Sequence, residues 1–194
     1  MTLAELQTRV KTHIRAELST PAVNDLNDNS IAEFANEHTG DVISLLDTSH
    51  YSELIEVDYS LTFASGYEDL PSNYQKAIAV KVTTTDPAVT KKDCRLFFDP
   101  AKFSRLDSSN FVITPTQRQP VALVAEDKVF VKPDTLTTGF LDYVKEHPTI
   151  TSTQGTLFSP QGDNILVRFV LYDYYIFLEE PDLAAAQLKL IGSK

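Results

Sequence analysis

The stretch Ile165–Leu178, ILVRFVLYDYYIFL, decides how the rest of the chain is read, because Arg168 and Asp173 are its only charged residues. On a helix advancing about 100° per residue those two stand roughly 140° apart, so no continuous polar face remains and most of the circumference is apolar. Such a helix must be surrounded. At about 1.5 Å per residue it is too short for a bilayer, whose crossing takes about 20 apolar residues. It belongs in the chain's own core or at a surface that other subunits cover.

Working outward, Pro181 cannot continue a helical ladder, so Glu179-Glu180-Pro181-Asp182 reads as a break before a second helix, Leu183 to Ile191, and a tail, Gly192-Ser193-Lys194. Upstream, Gly155 to Gly162 is a loop, with Asp163 or Asn164 as the expected cap. At the other end of the chain, Thr2-Leu-Ala-Glu5 has capping-box spacing, and Leu3, Leu6, Val10, Ile14 and Leu18 follow at helical steps. That helix stops before Ser19-Thr20-Pro21 and a polar loop, Asn24 to Asn29. Ser30 and Glu33 repeat the capping spacing ahead of Ile31, Phe34, Ala35, His38, Val42, Leu45 and Leu46, a second helix with Gly40 as its weak point. The apolar stretch is expected to pack one side against Leu6, Val10, Phe34 and Leu45.

Between the helices the texture changes. Leu54–Phe63, Ile78–Thr84, Cys94–Phe98, Val121–Val124, Lys128–Val131 and Gly139–Lys145 are short strand candidates, punctuated by prolines at 71, 87, 100, 115, 120, 133 and 148. Ala125–Lys128 reads as a hairpin turn, and Asp99–Leu106 as a helical turn opened by Pro100. The fold class is therefore α+β: a helical bundle (1–52 and 151–194) interrupted by a strand-rich antiparallel insertion (53–150), a small sandwich or barrel-like sheet.

Composition narrows function. With 194 residues the chain buries a core unaided, and its charge of −10, from 27 acidic against 17 basic residues, opposes a protein that grips nucleic acid by neutralising phosphates. An acidic surface keeps a protein in solution, or lines a passage for a polyanion. The single Cys94 excludes an intrachain disulfide; it reads as a small core residue, the alternative being a thiol activated by Lys91, Lys92 and Arg95. The opening MTLAELQTRVKTHIRAEL lacks the apolar run of a secretory signal, so synthesis in a cytosol is expected. Six glycines form no phosphate-binding loop, and His13, His38, His50 and His147 have no metal-ligand spacing. Glu37, His38 and Asp41 form an acid/base grouping with no nucleophile at a recognisable spacing, and no G-x-S-x-G elbow exists. No catalytic, cofactor or metal residue is assigned. Glu179 and Glu180 stand at the negative pole of a helix, either solvated or partnered by cations of a neighbour. Phe169, Tyr172, Tyr174, Tyr175 and Phe177 give the long helix the aromatic mixture of interfaces.

In its order of parts the chain resembles the head–tail connector adaptors of tailed bacteriophages. Two N-terminal helices precede an insert that begins near Leu70-Pro71 and Tyr74. A strand with Gly139, Tyr143, Lys145 and Pro148 closes that insert. The aromatic helix with Tyr172, Tyr175 and Leu178 then runs into an acidic-proline segment with Asp182, Ala184 and Ala185. The chain is similar to the ring proteins that phages such as the crAss-like group stack below the portal. The resemblance implies a structural, non-enzymatic virion protein made in the host cytoplasm. It also implies a ring of about twelve copies that leaves a duct for DNA. The implied partners are other copies, the portal and further tail or ring proteins, with no membrane. Arg168, Phe169, Tyr172, Asp173, Tyr175 and Phe177 are then expected at the subunit interface, and Leu183, Gln187, Leu188, Leu190 and Lys194 at a portal- or neighbour-docking surface. A soluble ligand-binding or adhesion module and a small hydrolase are the readings from other classes.

Overall fold

Caps and prolines place the helices in the computed structural model, which describes residues 1–18, 27–85, 88–107 and 114–192. Ser19-Thr20-Pro21, Pro87 and the tail residues Ser193 and Lys194 lie outside the described residues. The chain is α+β and divides into two units, a helical one (Met1–Leu54 with His147–Lys194) and a strand-rich one (Ile55–Glu146).

In the helical unit, α1 (Leu3–Glu17) begins at the expected box, Thr2 accepting from the Glu5 N–H and Glu5 from the Thr2 N–H, and buries Leu6, Val10 and Ile14. The single second helix expected from sequence is instead two, α2 (Asp28–Glu37) and α3 (Thr39–Leu45). The cap is Asn27, whose side chain accepts from the Asn29 N–H at 2.9 Å, rather than Ser30. The break falls at His38 rather than Gly40. It resets the helical phase, so Val42, Ile43 and Leu46 turn inward and Leu45, expected in the core, lies at the surface.

Two prolines act as starters, not stops. Helix α5 (Pro160–Phe177) is capped by Ser159 with Pro160 in its first turn, and not by Asp163 or Asn164. Proline has no N–H to lose there and its φ is already helical. Asp163 is consequently inside the helix and buried, with the Met1 ammonium at 3.3 Å and the Thr156 hydroxyl donating to it. Helix α6 (Pro181–Gly192) likewise starts at Pro181, and the break is the turn before it, with Glu179 at φ 60°.

The strand-rich unit is a pair of four-stranded sheets. One has the order β1 (Ile55–Thr62), β8 (Thr138–Lys145), β3 (Tyr74–Thr84), β4 (Thr90–Asp93); the other β2 (Tyr67–Asp69), β7 (Lys128–Lys132), β6 (Val121–Ala125), β5 (Arg95–Phe97). The insertion is not wholly antiparallel: β5 pairs parallel with β6. Parallel neighbours need a crossover, and the chain between them carries the helical turn α4 (Pro100–Ser104). Residues of both sheets, among them Leu61, Val80, Val82, Val124, Val129 and Leu141, share one core. Val121 and Leu123 point instead to a second cluster with Phe103 and Leu106. The uninterrupted apolar run of β6 thus reflects burial on both faces.

Candidate assembly surface

Helix α5 buries Gly162/Asp163, Leu166/Val167, Val170/Leu171 and Tyr174/Tyr175, pairs that recur every fourth residue and form one two-residue-wide stripe. Helices α1, α2, α3 and α6 all pack on it. Its flanks, which the sequence leaves apolar, are partly closed from within. The His38 ring stacks on Phe169, centroids 4.5 Å apart, while its two nitrogens meet Asp41 and Asp173, each at 2.7 Å. Arg168 donates to the Gln187 side-chain oxygen at 2.9 Å.

Each residue expected at a subunit interface therefore has a definite place. Tyr175 is fully enclosed, its hydroxyl donating to Glu17, and burial first, then that carboxylate, push its pKa well up. Arg168, Phe169, Tyr172 and Asp173 are half-buried, three of them engaged by Gln187 and His38 of the same chain. Phe177 is 69% exposed, and its neighbour Ile176, not singled out in the sequence, is 52% exposed. Among the expected docking residues Gln187 is buried, Leu183 half-buried, and Leu188 and Leu190 exposed; Lys194 lies outside the described residues.

The acid/base grouping read from sequence is a fastening. His38 joins Asp41, as the three-residue spacing suggests, but its second partner is Asp173, 135 residues away, and no local pattern reveals that. Burial disfavours its charge, yet the two carboxylates outweigh burial and hold its pKa above the ordinary value. His147 is the opposite case. Its Nε2 accepts from the Leu157 N–H at 2.9 Å, so the neutral ring is required, and burial pulls its pKa down. Cys94 is a core thiol pushed up to about 12 by burial, with Asp93 adding to the effect. No group of three metal-ligating side chains occurs among the described residues.

The strand-rich unit carries the feature that the sequence hid. Among the described residues, a groove of about 570 Å³ is lined by Phe97, Leu106, Pro120 and Val121, with Arg95, Lys102, Arg118, Gln119 and the acid Asp93. Its cations are seven and more residues apart along the chain. Only the parallel β5–β6 pairing and the intervening turn bring them together.

A helical unit with exposed apolar side chains at the α5–α6 corner and a two-sheet insertion with a lined groove mark the class as a protein with surfaces for contact with other proteins. The family model described as SU10 adaptor protein matches residues 1–191, and the chain belongs to that family of phage head–tail adaptors. It is accordingly a structural component of a bacteriophage virion. No curated protein matches the chain. No helix among the described residues is long and apolar enough to cross a membrane.

Proposed function

We propose that the chain assembles as a ring of about twelve copies between portal and tail, seals that joint, and leaves a duct through which DNA passes without base-specific contact. The observation that supports this reading is the apolar corner. Ile176 and Phe177 stand exposed at the end of a helix whose buried stripe is covered by its own chain, in a protein whose adaptor-family match runs over residues 1–191. A large aromatic side chain left in water is costly unless a partner covers it. The net charge of −10 suits a passage wall from which DNA must slide free. Electron microscopy of the purified chain mixed with portal tests the reading: closed rings seated on the portal are expected. A chain that never associates with portal, and instead binds a small ligand as a stable monomer in light scattering, overturns it in favour of a binding module.

A further inference from the structure

The apolar corner and the cationic groove have complementary chemistry. Exposed Ile176 and Phe177 run directly into Glu179, Glu180 and Asp182, all at the surface. This is an aromatic anchor beside three carboxylates, on a turn fixed by the positive φ of Glu179. The groove offers apolar lining with Arg95, Lys102 and Arg118, of which Lys102 also meets Asp99 at 3.5 Å; Asp93 is the one acid among its described lining residues, the reverse of the balance of the whole chain. Its volume is in the range of sites that enclose a whole ligand, so it has room for a phenylalanine ring.

We propose that the occupant of the groove is a second copy of this chain, which seats Phe177 among Phe97, Leu106 and Val121 and sets Glu179 and Glu180 against Arg95 and Arg118. The proposal rests on the ring reading and names the surfaces that would make the ring. Corner and groove are different surfaces, so the contact is heterologous: each copy offers a corner to one neighbour and a groove to the other. Repetition of such a contact builds a ring when the rotation closes. The aromatic anchor supplies affinity, while the carboxylate–cation pairs choose the partner and its orientation.

Disulfide trapping tests it in the full chain, both free and bound to portal. Ile176→Cys and Gln119→Cys replace exposed side chains and keep the Phe177 anchor, and the native Cys94 is buried with a raised pKa, so it stays silent. Mixed under mild oxidation, the two variants should give a heterodimer on a non-reducing gel, whereas each alone should not. Glu179→Lys with Glu180→Lys in the Ile176→Cys chain should lower the yield at least about threefold at ~0.1 M salt, where exposed charges still interact. Arg95→Glu with Arg118→Glu in the other chain should restore it. An Ile176→Cys chain that links to itself, a Gln119→Cys chain that links only to portal, or no link in either state overturns the contact. The number of copies bound per portal, counted by mass photometry, tests the ring separately. Many copies without the link leave the ring standing and remove this contact, whereas no bound copies remove the ring.

Discussion

His38 and His147 sit in one unit but their pKa values are shifted in opposite directions. Asp41 and Asp173 overcome the burial of His38 and raise its pKa above the ordinary value of about 6.5. The folded state therefore holds that proton more tightly than the unfolded chain, and the gain, fully present below about pH 6.5, is lost as pH rises through the raised pKa. Burial lowers the pKa of His147, so its contribution is present above about pH 6.5 and is lost as pH falls towards the depressed value. Urea-unfolding midpoints across pH 5–9 should fall on both sides of neutrality. His38→Asn should flatten the alkaline limb and His147→Asn the acid limb; an alkaline limb unchanged in His38→Asn would refute the fastening role. At Tyr175 the expectation is about stability and not assembly. Tyr175→Phe removes a hydrogen bond to the Glu17 carboxylate and should cost about 1–3 kcal/mol, and Tyr175→Ala about 3–5 kcal/mol, both read from urea-unfolding midpoints. The sequence displays Tyr175 and Phe177 as equivalent members of one aromatic run. Only the four-residue recurrence of the buried stripe separates them.

Among the elements, those with a local cause were legible and those with a distant cause were not. The Thr2/Glu5 box, the turn opened by Asp99 and Pro100, and the hairpin between β6 and β7 each depend on residues within four positions of one another. The split of the second helix falls at His38, whose bond to Asp173 crosses the unit, and the parallel β5–β6 pair needs a crossover; neither leaves a periodic trace. Bulges hide in the same way. Strand β3 buries Ala77, then Val80 and Val82, because one residue is extra between Ala77 and Ala79 opposite β8. A bulge in β1 between Glu56 and Tyr59 puts Asp58 at φ 57°. There its N–H donates to Asp142 at 2.8 Å, while Lys81 donates to that carboxylate at 2.6 Å. The β6–β7 hairpin gives an element-scale prediction. Ala125 pairs with Lys128 across a two-residue turn, and Glu126, the first central residue, has φ 54°. A side chain pays a steric penalty in that region that glycine does not, and glycine is the residue favoured there when only the first central position is left-handed. Glu126→Gly should therefore stabilise the protein by up to about 1 kcal/mol, seen as a higher Tm, whereas Asp127→Gly should not.

For the whole molecule, burial within α6 decides how its surface can be probed. The sequence presents Leu183 to Ile191 as a separate helix after a break, followed by a tail, and as an expected docking surface. In the structure Ala184, Gln187 and Ile191 are buried, Gln187 accepts from Arg168, and α6 packs along α5. Deleting Leu183–Lys194 would strip cover from the central helix and leave the guanidinium of Arg168 without that acceptor. Losses of buried apolar side chains cost about 2–5 kcal/mol each, against a total stability of about 5–15 kcal/mol. The truncated chain should therefore lose cooperative unfolding in its helical unit, and failure of assembly in it would say nothing of a docking face. Leu188 separates the two effects because it projects from α6 with 46% of its surface in water. An exposed substitution of this kind changes stability by no more than about 0.5 kcal/mol, so Leu188→Asp should unfold at the urea midpoint of the parent chain. If that face docks on the portal or a neighbour, burying the new carboxylate there is unfavourable. The affinity for portal, measured by titration, should then weaken at least about tenfold, equivalent to ~1.4 kcal/mol. An unchanged affinity would remove the Leu188 face of α6 from the portal-docking surface.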